Sequence, residues 1–295
     1  MEKFQRNYRL EVETNNPTAS PVPLPATTLV FTLPLTIQFD VVRNVLSSAN
    51  NSVIRIWNLS ENHRNQIRKN INNVGDVRKI RLFGGYGQNL SMLFSGYILE
   101  AFSVREGVDF ITEITSFDFS FINSNTAQSF PKETERTEIA KSIAKNLEGT
   151  TIGAVGNTFT GTIPRGNSYS GSAVDLLRDL SGGGFYIENG KVYLLSQYEV
   201  LDSNIVIDAS VGLLNTPMLQ DSILRFSMLL EPRLRCSLKI SLKSSSEPIL
   251  NGDYKIVSLT HRGTISDAVC GEAITEVGLL APFAGTPFNI IPEFL

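Results

Sequence analysis

Between Val53 and Asp118 the chain passes through a succession of short apolar runs, each cut off by Gly, Asn or Ser, and this pattern restricts the fold more than any other feature. The runs read Val53-Ile-Arg-Ile56-Trp57, Val77-Arg-Lys-Ile80-Arg-Leu82, Leu93-Phe-Ser-Gly96-Tyr97-Ile98 and Ile111-Thr-Glu-Ile114. They are rich in β-branched and aromatic residues and too short for core helices, which is how half-buried strands joined by turns present themselves. No catalytic motif interrupts them.

Strand signals also precede this stretch. Tyr8, Leu10 and Val12 alternate with Arg9, Glu11 and Glu13, predicting an opening strand with one buried face. Residues 15–28 carry Pro17, Pro21, Pro23 and Pro25, which withdraw ladder donors and favour extended backbone. That segment reads equally as an arm reaching a neighbouring subunit and as a surface loop. Leu29 to Leu33 and Thr36 to Val42, parted by Pro34, predict two strands or one strand bent at the proline. Ser60 is placed to cap a short surface helix, with Leu59 as a hydrophobic staple.

Beyond Asp118 the period changes. Ile139, Ala140, Ile143, Ala144 and Leu147 fall at helical spacing, and Gly149 marks the stop. A second helix is predicted from Ser172, which can form a capping box with Asp175, and its buried stripe is Val174, Leu177 and Leu180. Gly182-Gly-Gly184 ends it. Asn189-Gly190 then supplies the positive backbone angles of a two-residue type I′ hairpin between Phe185 and Leu194. Strand patterns return at Leu224–Leu230, Leu238–Leu242, Tyr254–Leu259 and Ala273–Val277, followed by an apolar, proline-containing tail that reads as an extended segment lying on another surface.

The chemistry available to such a chain is narrow. His63 and His261 are the only imidazoles, one on a polar helix and one before a turn, and both read as surface or strand-end residues. There is no G-x-S-x-G elbow, H-E-x-x-H pair or Walker loop. The glycine clusters Gly84-Gly-Tyr-Gly87 and Gly182-Gly-Gly184 lie where turns belong, without the strand-to-helix context of a phosphate cradle. Glu133, Glu135 and Glu138 sit at a helix start, where carboxylates complement the dipole. Cys236 and Cys270 lack ligand spacing and read as buried thiols. A net charge of −3 argues against a grip on duplex DNA. The polar N-terminus and the lack of a run near about 18 apolar residues predict a soluble protein made in the cytoplasm. No catalytic, cofactor or metal residues are assigned, and no enzyme activity is expected.

The two β-rich ends echo one another. Ile80-Arg-Leu82, Gly96-Tyr-Ile98, Gly107 and Ile111-Thr-Glu-Ile114 run in the same order as Leu238–Leu242, Gly252-Asp-Tyr254-Lys-Ile256, Gly263 and Ile274-Thr-Glu-Val277. The spacings differ by several residues, so the strand order decides between a repeat and chance.

Ile56-Trp57-Asn58-Leu59-Ser60, a polar helix, a strand entering Gly84-Gly85-Tyr86 and the Leu93-Phe-Ser-Gly96-Tyr97-Ile98 strand together resemble the tail hub proteins of bacteriophages, including the late-control-type hubs of contractile injection systems. Gly212-Leu-Leu-Asn-Thr-Pro217, Phe226–Arg235 and Asn251-Gly252-Asp-Tyr254 are similar to that family's second tube domain. Gly84 stands where the family often has Ala, and the proline-rich segment is long for it. The resemblance implies an α+β, mostly β fold: two related tube-like β-barrel domains, 1–122 (with the proline-rich arm 15–28) and 204–280, flanking a small α/β insertion domain, 123–203, with an extended tail, 281–295. Trp57, Asn58, Gly84, Gly85, Tyr86, Gly96, Tyr97, Asn251, Gly252 and Tyr254 are the implied structural positions. It further implies a homotrimeric ring in the virion, joining a tail tube or tube-initiator protein to a spike or tail-tip protein. Baseplate wedge proteins are further candidate partners, DNA is met only in passage, and no membrane is bound. The arm and the tail are the candidates for interlocking with neighbours. A β-rich carbohydrate- or receptor-binding module is the alternative, and a tail-associated hydrolase ranks third.

Overall fold

The computed structural model describes residues 5–14, 27–46, 50–72, 76–118, 125–147, 149–269, 271–282 and 287–294; most of the proline-rich segment, and Cys270, lie outside them. The fold is mostly β, with 54% strand and 13% helix.

The N-terminal part supplies β1 (Arg6–Glu13), β2 (Thr28–Phe31), β3 (Ile37–Asn44), β4 (Asn51–Trp57), helix α1 (Glu61–Ile67), β5 (Lys79–Tyr86), β6 (Asn89–Glu106) and β7 (Asp109–Phe117). A middle unit follows with β8 (Asn125–Phe130), α2 (Arg136–Ala144), β9 (Thr151–Val155), β10 (Asn167–Ser172), α3 (Ala173–Leu180), β11 (Phe185–Glu188) and β12 (Lys191–Leu194). The C-terminal part holds β13 (Glu199–Ile207), β14 (Met218–Gln220), β15 (Ile223–Leu229), β16 (Leu238–Leu242), β17 (Gly252–Ile265), β18 (Ala273–Leu280) and β19 (Asn289–Ile291).

Period-two patterning drives these strands together. In β3, Ile37, Phe39 and Val41 point inward while Gln38, Asp40 and Val42 face solvent. Both ends of the chain join one 14-stranded sheet whose main path runs β14-β15-β18-β17-β3-β4-β7-β6-β5-β1-β2. The central seam is β3 against β17, antiparallel from Ser258 opposite Asn44 to Ile265 opposite Ile37.

The strand order repeats. With β2 set aside, the N-terminal half runs β3-β4-β7-β6-β5-β1 and the C-terminal half runs β14-β15-β18-β17-β16-β13, the same permutation in chain order. Neighbours are antiparallel in both halves, except that β13 lies parallel to β16 where β1 is antiparallel to β5. Ile98 and Ile256 each precede a bulge in the long strand of their half. Ile54 opposite Ile114 matches Phe226 opposite Val277, so Ile111-Thr-Glu-Ile114 and Ile274-Thr-Glu-Val277 coincide residue for residue. The glycines of the echo do not coincide: Gly107 lies in the β6–β7 turn, whereas Gly263 pairs with Ala273 inside a ladder.

The expected barrels are not closed. The main path ends on β14 and on β2, a branch through β16 and β13 ends on β19, and the edge of β3 that would meet β2 to close the first half is occupied by β17 instead. The exchange shows in the cores. Leu230, Ile265 and Ala273 from the C-terminal half pack among Tyr8, Phe39, Ile54 and Phe94 of the first.

In the middle unit Ser60-type capping recurs: Ser172 accepts a hydrogen bond from the Asp175 amide at the start of α3, as Ser60 does from His63 at α1. Asn189 and Gly190 have φ of 52° and 75°, the predicted hairpin turn between β11 and β12. That hairpin is buried on both faces. Phe185, Ile187, Val192 and Leu194 join the cluster under α2 and α3, while Tyr186 and Tyr193 stack at 4.9 Å in the core of the C-terminal half.

Candidate interaction faces and their anchors

The outward side chains of the shared sheet form polar rows that cross from one half to the other. One row runs Thr264, Gln38, Arg55, Glu113 and Phe102; another runs Arg262, Asp40, Val53 and Thr115. Arg55 Nε lies 2.7 Å from Glu113 Oε2, and Arg262 Nη2 lies 2.7 Å from Glu276 Oε1. On β1 and β5, Glu11 receives both Arg9 and Arg81 at 3.0 and 2.9 Å. Exposed pairs of this kind contribute little stability, about 0–1 kcal/mol each. Their effect on this face is to cancel positive charge. A shallow pocket of about 530 Å³ over Gln38, Asp40, Arg55, Arg262 and Glu272 lies along it.

Beneath the sheet is a sealed polar junction between the sheet and the middle unit. Arg43, in the inward phase of β3, donates to Glu188 Oε1 at 2.6 Å, to Asn189 Oδ1 at 3.0 Å and to the Leu93 carbonyl. Asn189 Oδ1 also accepts the Ser95 amide at 2.9 Å. Asn50 donates to Asp118 Oδ2 at 3.0 Å and to the Ile187 carbonyl at 2.6 Å. Burial pushes both the Glu188 and Asp118 carboxyls up; Arg43 opposes this chiefly at Glu188, and Asn50 at Asp118. His261 is fully buried within β17, contrary to the strand-end expectation, with Nδ1 2.9 Å from Thr275 Oγ1. Burial, and then the charge of Arg43, hold its imidazole down at about 3, so it stays neutral. These groups are shut away from solvent and serve as internal ties.

The described part of the tail docks on its own chain. β19 pairs in parallel with β13, and the Phe294 amide donates to the Gly153 carbonyl at 2.7 Å. Glu293 accepts from Tyr193 Oη at 2.7 Å and from Arg235 at 3.0 and 2.9 Å. Residues 287–294 therefore lie on the surface of their own chain.

The positions singled out in the sequence are dispersed through the fold. Trp57 ends β4, half-buried, and its amide donates to the Thr36 carbonyl. Asn58, at φ 57°, clips the β6–β7 hairpin: its side chain donates to Asp109 Oδ1 at 2.8 Å and accepts the Phe110 amide at 3.0 Å. Gly84, Gly85 and Tyr86 close β5, and the turn falls one step later at Gly87 and Gln88. Tyr86 Oη donates to the Leu230 carbonyl at 3.1 Å, tying the halves together. Gly96 packs on the Phe117 carbonyl, and the Tyr97 hydroxyl fills the space beside Gly149 of the middle unit. Asn251 Oδ1 accepts the Ser244 amide at 2.6 Å, Gly252 opens β17, and Tyr254 Oη donates to the Leu250 carbonyl at 2.7 Å. Arg43, Glu188, Asn50 and Asp118 were missed, although the phase of Arg43 with Phe39 and Val41 marks it as buried. Among the described residues no group of His, Cys, Asp and Glu is arranged to hold a metal ion.

Residues 21–267 match the model of the family described as baseplate hub gp41. A sequence search of curated proteins finds no match. Among solved structures, the 43 kDa tail protein of prophage MuSo2 from Shewanella oneidensis is similar over 95% of this chain and 98% of its own, at 8% identity and a TM-score of 0.60. A tail protein of Neisseria meningitidis MC58 is similar over 92% and 96%, at 10% identity and a TM-score of 0.55. The lidded Francisella PdpA-VgrG complex gives 99% and 55%, at 10% identity and a TM-score of 0.51. At these identities the likeness is one of fold.

Proposed function

The chain belongs to the baseplate hub gp41 family, a structural component of the phage tail baseplate, and from that premise we propose that three copies form a ring joining the tail tube to the spike. The observation that carries this reading is the repeated strand order. Two like units per chain, taken three times, present six similar units to a six-fold tube and three identical ones to a three-fold spike. The repeat units are 1–122 and 204–280, with 123–203 as the insertion between them.

On this reading the solvent face of the shared sheet lines a channel for DNA. A passing polyanion is held back by unpaired cations, and here Arg55 and Arg262 each lie against a glutamate, with Asp40 and Glu272 adding negative charge. The tail tube or its initiator and the spike or tail-tip protein are the partners, with wedge proteins at the periphery. The fold likeness to a chain of the PdpA-VgrG complex supports a scaffold that seats another protein.

The test is the mass of the purified chain by light scattering, together with images of negatively stained particles. Rings of three copies are expected. A monomer with affinity for glycans would overturn the hub in favour of a receptor-binding module.

A further inference from the structure

The repeat makes the internal seam a template for a contact that a single chain leaves unmade. Within the chain, β3 of the first half pairs with the second part of β17 of the other half. The repeat places β14 where β3 stands and the second part of β6 where the second part of β17 stands. Both are open. β14 is the end strand of the sheet, with β15 on one side and no strand on the other among the described residues. β6 gives Asn89 to Tyr97 to β5 on one edge and Tyr97 to Glu106 to β7 on the other. Lys69 bridges the β5 edge at Ala101, which leaves Phe102 to Glu106 without a strand there among the described residues.

From this we infer that β14 of one copy pairs antiparallel with residues 102–104 of β6 in the next copy, so that each contact between subunits repeats the β3–β17 seam. The inference rests on the ring proposed above and names the surface that closes it. The register follows from the template. Met218 faces Arg225 as Asp40 faces Val53, and Asp40 faces Arg262, whose counterpart on β6 is Val104. Met218 therefore lies opposite Val104, Leu219 opposite Ser103, and Gln220 opposite Phe102. The lengths agree, since Lys69 stops the free edge at the position where β14 ends.

The surface chemistry agrees as well. Met218 and Leu219 are each 60% exposed, and Phe102 and Val104 are 38% and 41% exposed, in a sheet whose other outward positions are mainly polar. Unpaired strand edges with apolar side chains invite strand addition, and a second copy of the same chain carries the complement. Because the two edges are different surfaces, the contact is heterologous and closes only as a ring.

The test is cysteine cross-linking of the full chain under a mild oxidant. Directly opposed residues in an antiparallel pair have Cα atoms roughly 4.5–5.5 Å apart, within the range a disulfide spans. Met218→Cys with Val104→Cys is expected to give a covalent three-copy species at least about tenfold above either single variant, because pairing raises the local thiol concentration. The single variants also set the background from Cys236 and Cys270. Gln220→Cys with Phe102→Cys repeats the test at the other end of the contact, and Met218→Cys with Arg105→Cys puts one thiol on the opposite face and should stay at background. A trimer by mass that cross-links no more than the single variants overturns this contact and leaves the hub standing. A monomer without cross-links overturns both. Equal cross-linking through Arg105→Cys overturns the register, and a ladder running past three copies supports the strand pairing while overturning three-fold closure.

Discussion

Arg43 and Glu188 meet at 2.6 Å with their side chains 1% and 2% exposed, and this pair is the tie between the shared sheet and the middle unit. Removing one partner leaves the other charge buried without compensation, which costs about 3–5 kcal/mol. Arg43→Ala is therefore expected to lower unfolding stability by that amount in urea titration. Adding Glu188→Leu should recover much of the loss, because the stranded carboxylate goes with it. A loss below about 1 kcal/mol for Arg43→Ala would show that the junction does not depend on the pair.

Local signals were the legible part of this fold. The Asn189-Gly190 turn, the Ser60 and Ser172 caps and the alternation in β1 and β3 are settled by neighbours a few residues away, and the sequence reports them directly. The β3–β17 seam joins residues more than two hundred positions apart, so no local pattern announces it, and the barrels expected from each half opened into one sheet. Gly84 and Gly85 misplace the turn because a glycine required by close packing in a strand looks the same as one required by a positive φ. His261 shows the same limit: a polar residue two places before a glycine resembles a strand end, yet the strand continues through both.

His261 gives the fold an acid-sensitive limb. Its folded value of about 3 lies below the unfolded value of 6.5, so below pH 6.5 the unfolded chain takes up a proton that the folded chain refuses. That stability is complete above 6.5 and is lost as pH falls toward 3, about 2 kcal/mol of it by pH 5. Glu188 and Asp118, pushed up by burial, work in the opposite direction, so the comparison must be between variants. Denaturant titrations at pH 7 and pH 5 are expected to show the unsubstituted chain losing about 2 kcal/mol more than His261→Leu. Equal losses would mean that the imidazole protonates in place.

The tail clamp has its own pH window. Burial would raise the Glu293 carboxyl, but hydrogen bonds from Arg235 and Tyr193 outweigh it and hold the group at about 2, below its ordinary 4.5. The contribution is present above pH 4.5 and fades as pH falls toward 2. The site is partly open to solvent, so Glu293→Gln is expected to cost only about 1 kcal/mol globally. The local effect should be larger: amides of β19 and Phe294 exchange hydrogen faster once the clamp is gone. Unchanged protection at Ile291 would show that the β13 pairing alone holds the tail.

Three glycines in the N-terminal half should respond to alanine in different ways. A Cβ on Gly96 would lie 2.1 Å from the Phe117 carbonyl oxygen, and one on Gly85 would lie 2.1 Å from that of Asn89; both obstacles are backbone of a paired strand. Relief requires the β6–β7 or β5–β6 ladder to move, so Gly96→Ala and Gly85→Ala are each expected to cost about 3 kcal/mol, at the upper end for overpacking. At Gly84 the nearest atom is the Leu93 side-chain terminus at 2.5 Å, which can rotate away. Alanine there also restricts the unfolded chain, which offsets part of the strain, so Gly84→Ala should cost less than about 1 kcal/mol. Urea midpoints for the three variants decide the matter, and a Gly84→Ala loss equal to that of Gly96→Ala would show that Leu93 is locked by the core around it.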